Sequence, residues 1–170
     1  CTVVLASSIW INPVAKGVPE ITKSETMQQI RDLVKEDPKA IWLVVDMAYP
    51  ATNIPAMAGA DCLNTTQTYP QKTRWEMLDQ EGECEDIYNR YCHIRASLGS
   101  KTMLELVSTD YVEVTLSPED LKKLNIRYIV STNDFDERIA AGTTNIFTDS
   151  GIEFQKYYEG TQLSIYGCVY

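Results

Sequence analysis

Histidine is almost missing from this chain: His93 is alone among 170 residues. A Ser/His/Asp or Cys/His centre would have to use it, and there is no G-x-S-x-G turn to expose a nucleophilic serine. His93 follows Tyr91-Cys92 at an expected strand start, where a histidine satisfied by its neighbours is the plainer assignment. The same shortage disfavours zinc. So do the cysteines, because Cys1, Cys62, Cys84, Cys92 and Cys168 are odd in number and no pair has C-x-x-C spacing. Cys84 and Cys92 flank a short helical stretch, which leaves a bridge open beside the alternative of buried free thiols. No G-x-G-x-x-G and no G-x-x-x-x-G-K-[ST] occurs, so there is no nucleotide-phosphate loop. The acidic loop at 133–136 lacks the D-x-[DN]-x-[DN]-G pattern of a calcium loop. The residues therefore assign no catalytic group, no metal and no cofactor.

Basic charge is scarce as well. Fifteen Lys and Arg face 24 Asp and Glu, a net charge of -9. A phosphate backbone needs a basic face, so nucleic acid is not an expected partner. Electrostatic docking on anionic lipid is disfavoured for the same reason. No apolar run reaches the length that spans a bilayer. Residues 1–10, CTVVLASSIW, are apolar and begin without methionine. Three readings stay open there: a first strand with Val3 and Leu5 on one face, the trailing end of a membrane helix in a longer parent, or a lipidated Cys1. TVVLA is a poor match to the polar tether that usually follows a lipidated cysteine.

What is present reads as one α/β domain over 1–170. Hydrophobic residues make up 44% and charged residues 23%, ordinary for a globular fold. After a turn-rich stretch at 12–19, Thr22 with Glu25 fits a capping box, and Met27, Ile30, Leu33 and Val34 recur at helical spacing until Asp37-Pro38. Residues 40–46, AIWLVVD, form a continuous apolar run, the mark of a strand covered on both faces and paired in parallel. A short helix closed by Gly59 and, over 62–68, a short strand running into a polar loop complete a βαβ-like unit. Two short helices broken at Glu81-Gly82 follow, then strands at 93–97 and on either side of 108–110. Ser117-Pro118-Glu119-Asp120 caps a short helix, and Asn125 ends it. Residues 126–130 and 162–169 are strands, the latter alternating as a half-buried strand would. Residues 133–145 read as an exposed loop with one helical turn. The expected architecture is a mixed sheet flanked by helices, parallel in its N-terminal half and antiparallel toward the C-terminus.

Ligands of open α/β sheets gather beyond the carboxyl ends of strands. Asp46 sits at such an end, with Asn64 beyond the next strand, and both are candidate ligand-binding residues. Tyr69, Trp75 and Arg90 are further candidates, since aromatic faces stack on sugar rings. The alternative places Trp75, Leu78, Ile87, Tyr88 and Tyr91 in the core. Asn64-Thr65-Thr66 is an N-glycosylation sequon, which matters only in a glycosylating secretory pathway.

Two segments carry a family resemblance. A capped helix leads into LNIRYIVS at 124–131, and GIEFQKYYEGTQLSIY follows at 151–166. This resembles the C-terminal extracytoplasmic domain of large bacterial multi-pass membrane proteins of the GT-C type, including the YfhO-like proteins. NPVAKG at 12–17, WLVVD at 42–46, AGADCLN at 58–64, the Y-P-x-x-x-x-W of Tyr69 to Trp75, and YNRY at 88–91 are similar to related membrane proteins. The resemblance implies a parent with many membrane helices ahead of Cys1. The present chain would be its outer domain, at the extracytoplasmic face of the bacterial cell membrane. Such parents move or transfer sugars on lipid carriers, so a glycan or lipid-linked sugar is the implied ligand. The catalytic acids of that type lie in the helical part, and none maps onto this chain. Tyr166-Gly167-Cys168 replaces the aromatic-acid end of the family pattern. A free-standing α/β enzyme acting beyond Asp46 and Asn64, and a lipoprotein-type binding module, are the alternatives.

Overall fold

The computed structural model describes residues 23–132, 135–142 and 144–170. The readings on residues 1–10 and the Thr22 cap fall outside them, as do residues 133 and 134 of the 133–136 loop. The first helix, α1 (Glu25–Glu36), starts instead on Ser24, whose hydroxyl accepts from the Met27 amide at 3.3 Å. Met27, Ile30 and Leu33 are buried along one face, as their spacing requires.

The apolar run becomes β1 (Ile41–Val44). A 3-10 turn (Ala51–Asn53) and α2 (Ile54–Met57) follow, and Gly59 closes that segment at φ +99°. The next stretch is not one strand but two, β2 (Asp61–Cys62) and β3 (Thr66–Gln67). They belong to different sheets. Then come α3 (Lys72–Leu78), α4 (Glu85–Tyr88), β4 (Cys92–Leu98), β5 (Met103–Ser108) and β6 (Tyr111–Leu116). The C-terminal part holds α5 (Pro118–Lys123), β7 (Ile126–Thr132), α6 (Phe135–Ala140), α7 (Asn145–Asp149), β8 (Glu153–Glu159) and β9 (Leu163–Val169).

The protein is a mixed α/β structure with two mixed sheets rather than one. The five-stranded sheet has the order β2-β1-β7-β9-β8. β1 runs parallel to β2 and β7, while β9 is antiparallel to β7 and β8, which follows the sequence expectation. The four-stranded sheet has the order β3-β4-β6-β5. Here the expectation of a purely antiparallel run fails, because β4 and β6 pair in parallel. Residues 99–102 carry the chain past the end of β6 to its far side, and β6 then returns between β4 and β5. Gly99 makes that crossing, donating to the Leu116 carbonyl at 3.0 Å. A Cβ there would lie 2.5 Å from the Thr115 methyl. Turn composition reports where a strand ends, not which neighbour the next one takes.

Alternation along β1 separates two cores. Trp42 and Val44, with Tyr128, Val130 and Ile165, pack on Ile30 and Leu33 of α1. Leu43 and Val45, with Ile129, Tyr166 and Cys168, pack on Ile94, Ala96, Val112, Val114 and Leu116 of the other sheet. β9 is therefore buried on both faces, not on one as its alternating polar residues suggest, because it lies between β7 and β8 and is covered on either side. α7 forms in a stretch with no helical pattern and is anchored by buried Phe147.

The capping box on α5 is complete. Asp120 is buried, and its Oδ2 accepts from the Ser117 amide (2.7 Å), the Ser117 hydroxyl (2.8 Å) and the Thr102 hydroxyl (2.5 Å). The third bond ties the β4–β5 crossing to this helix.

Candidate functional site

β1 does not stop at its own sheet. The Val45 amide still donates to Val130 at 2.8 Å, but the Asp46 amide donates to Ala96 of β4, also at 2.8 Å. Asp46 then turns the chain with φ +58°, a conformation that aspartate tolerates better than most residues. Its carboxylate is ion-paired with Arg138 of α6. The loop beyond brings Tyr49 onto the outward side of the four-stranded sheet, where its ring lies 4.2 Å from that of His93. Tyr91 meets His93 edge-on at 5.6 Å from the other direction. Both tyrosines are about half-exposed, at 53% and 51%. Exposure of Tyr91 corrects its assignment to the core. The peptide before β4 ends α4, whose buried face is already filled by Tyr88.

One ring nitrogen of His93 is held by its neighbours. The Thr66 amide donates to Asn53 Oδ1 at 2.8 Å, which orients that amide group and turns its Nδ2 toward Thr66 Oγ1 at 3.0 Å. The threonine oxygen accepts there and also shares a hydrogen bond with His93 Nδ1, 3.0 Å away. Nδ1 of His93 is thus engaged within the protein, and Nε2 is the ring atom that can serve a ligand. The sequence reading of a satisfied histidine holds for one ring nitrogen.

Alternation puts polar residues in rows across the same sheet face. His93 lies beside Tyr111, Arg95 beside Glu113, and Ser97 beside Thr115. Arg95 and Glu113 are ion-paired at 3.2 Å, and the Ser97 and Thr115 hydroxyls are 3.1 Å apart. All six are intermediate in exposure, while the opposite face of the sheet is core.

The five sequence candidates are not gathered into one site. Asp46 supports the loop that presents Tyr49. Asn64 is fully buried, and its side chain takes the Val44 amide on Oδ1 (2.9 Å) and gives to the Val44 carbonyl from Nδ2 (2.6 Å). Trp75 is buried and donates to Gln67 Oε1 at 2.7 Å. Arg90 donates from Nε to the Asp86 carbonyl at 3.0 Å, holding the end of α4. Tyr69 is 84% exposed at the rim of a depression of about 80 Å³. Three larger depressions, of about 570, 430 and 370 Å³, are lined by none of the five. The grouping of Tyr49, Tyr91 and His93 was not legible in the sequence. The nearest signal was an aromatic residue on each side of an expected loop-to-strand boundary.

The described cysteines are free, so the bridge between Cys84 and Cys92 is not formed. Burial pushes the thiols of Cys62 and Cys168 up to about 12 and that of Cys92 up to about 11. Burial raises Cys84 too, with Asp79 adding to it. Among the described residues no group of three His, Cys, Asp or Glu side chains could hold a metal. Tyr166 is pushed up to about 12, by burial first and then by its hydrogen bond to Asp136. These acids are held neutral in the fold. Their contribution is complete below the unfolded values and is lost as pH rises through the folded ones. Urea midpoints should therefore stay level to about pH 8 and fall steadily above about pH 9. A midpoint level to about pH 11 would contradict the burial of these groups.

A family model described as a domain of unknown function, DUF7654, matches residues 20–170. No curated protein matches the chain, and no solved structure does.

Proposed function

We propose that this chain, which belongs to the DUF7654 family, is a binding domain of a bacterial multi-pass membrane protein, displayed on the extracytoplasmic face. Its ligand is a neutral glycan, free or lipid-linked, taken on the outward face of the four-stranded sheet. The observation that carries the ligand reading is the pair of half-exposed rings, Tyr49 and Tyr91, set on either side of His93. A sugar offers an apolar C–H face and a rim of hydroxyls. Flat aromatic surface suits the first, and the His93 imidazole with the Arg95, Ser97 and Thr115 rows suits the second. The net charge of -9 disfavours an anionic ligand. Membrane attachment is supported by the likeness of residues 124–131 and 151–166 to the outer domains of GT-C-type proteins. The chain itself would bind and present rather than react. Among the described residues no helix is long and apolar enough to cross a membrane.

The ligand reading is tested by an NMR titration with neutral trisaccharides at millimolar concentration, using maltotriose, cellotriose and mannotriose. Shifts should centre on Tyr49, Tyr91, His93 and Tyr111. Tyr91→Ala should weaken binding about tenfold with little loss of stability. Absence of shifts with all three sugars, or shifts confined to another face, would reject it. The membrane reading is tested by the parent gene, and a parent without upstream membrane helices removes it.

A further inference from the structure

β5 ends its sheet, with β6 as its single strand neighbour. Antiparallel pairing turns alternate main-chain groups toward and away from the neighbour, so half of those along β5 face outward. Among the described residues, no backbone hydrogen bond reaches residues 103–107 from beyond β6. Natural edges are usually blunted by lysine or proline. MLELVS contains neither, and Met103, Leu106 and Val107 are 57%, 38% and 52% exposed. The register shift between Leu106 and Ser108 interrupts the C-terminal end, leaving residues 102–106 for pairing.

Charge identifies the kind of strand that fits. Glu105 lies directly opposite Glu113, and the Glu113 carboxylate is already engaged by Arg95. The row reads positive, negative, negative across three strands. Like charges directly opposite are destabilising, and Glu105 makes no ion pair among the described residues. A cation one strand further out completes the row. We propose that the β5 edge receives an extended segment of another protein. That segment would carry Lys or Arg beside Glu105 and, on its other face, apolar side chains beside Leu104 and Leu106. A second copy is the poorer occupant, since two chains of charge -9 repel. Self-pairing centred on Glu105 would also set two glutamates together. This surface stands apart from the glycan reading and does not depend on it.

The test uses two capped peptides of alternating composition, Val/Lys and Val/Glu, followed by fluorescence anisotropy and amide hydrogen exchange. The Val/Lys peptide should bind and slow exchange along β5, and the Val/Glu peptide should not bind. Glu105→Lys should weaken the Val/Lys peptide about tenfold or more and admit the Val/Glu peptide. Glu36→Lys makes the same change of net charge at the exposed end of α1, which packs on the other sheet, and should alter binding by less than about twofold. Equal effects of the two substitutions, protection outside β5, or no binding at millimolar peptide would overturn the proposal. A dimer in sedimentation that Glu105→Lys abolishes would overturn it in favour of a second copy.

Discussion

Asn64→Ala is expected to destabilise the chain by about 3–5 kcal/mol, because it strands two buried main-chain groups at about 1–3 kcal/mol each and leaves a cavity. β2 covers β1 for only two residues, Ile41 and Trp42. The Leu63 amide reaches the Trp42 carbonyl at 3.0 Å, and there the backbone ladder stops. Asn64 extends it with a side chain, satisfying both the amide and the carbonyl of Val44. No water replaces it easily, since Val44 and Asn64 are both fully buried. A loss of this size is a third or more of the stability of many domains. Thermal unfolding should fall by roughly 10 °C. Asn64→Asp keeps an acceptor for the Val44 amide but sets a carboxylate against its carbonyl. Its defect should shrink at acidic pH, where a protonated acid can donate. A loss below about 1 kcal/mol for the alanine variant would show that β1 is satisfied in some other way.

Trp75→Ala should cost about as much, roughly 3–5 kcal/mol, with consequences that reach the binding surface. Trp75 stacks on Tyr88 at 5.8 Å and donates to Gln67. The Gln67 amide nitrogen donates in turn to the carbonyls of Tyr88 (2.7 Å) and Arg90 (3.0 Å). This network joins β3 to α3, α4 and the segment entering β4, the segment that carries Tyr91 and His93. Trp75→Phe removes the indole N–H while keeping a ring and should cost about 1–2 kcal/mol. A double-mutant cycle of Trp75→Phe with Gln67→Leu should show a coupling of about 1 kcal/mol or more. Additivity within error would mean that the two side chains touch without supporting one another. Tyr91 resonances should shift in Trp75→Phe even though the two residues lie on different elements.

Both residues are candidates that the sequence offered as ligand contacts, and both are spent on internal bonds. The reasoning that chose them is sound as far as it goes. Asn64 lies beyond a strand end, and Trp75 lies in an aromatic stretch. Polar and aromatic side chains serve a ligand or the backbone equally well, and the choice depends on what packs over them. Asp46 shows the intermediate case. It stands at the carboxyl end of a parallel strand as expected, and its pairing with Arg138 makes it the support of the Tyr49 loop. Tyr49, Thr66 and His93 are far apart in sequence and share no motif. They meet because the extension of β1 crosses from one sheet to the edge of the other.

The sequence by itself determined the elements whose causes are local. Ser117 and Asp120 close a capping box within one turn of helix. Three apolar residues spaced along α1 give it one buried face, and the unbroken apolar run of β1 requires cover on both sides. Asn125 and Gly59 mark the stops by the backbone angles they accept. Tertiary structure decided what depends on distant partners: the division into two sheets, the parallel pairing of β4 with β6, and the burial of both faces of β9. It also decided which tyrosines face outward. Helix caps and periodicities are settled by neighbours a few residues away. Strand order and exposure are settled by contacts between segments that the chain brings together only once it has folded.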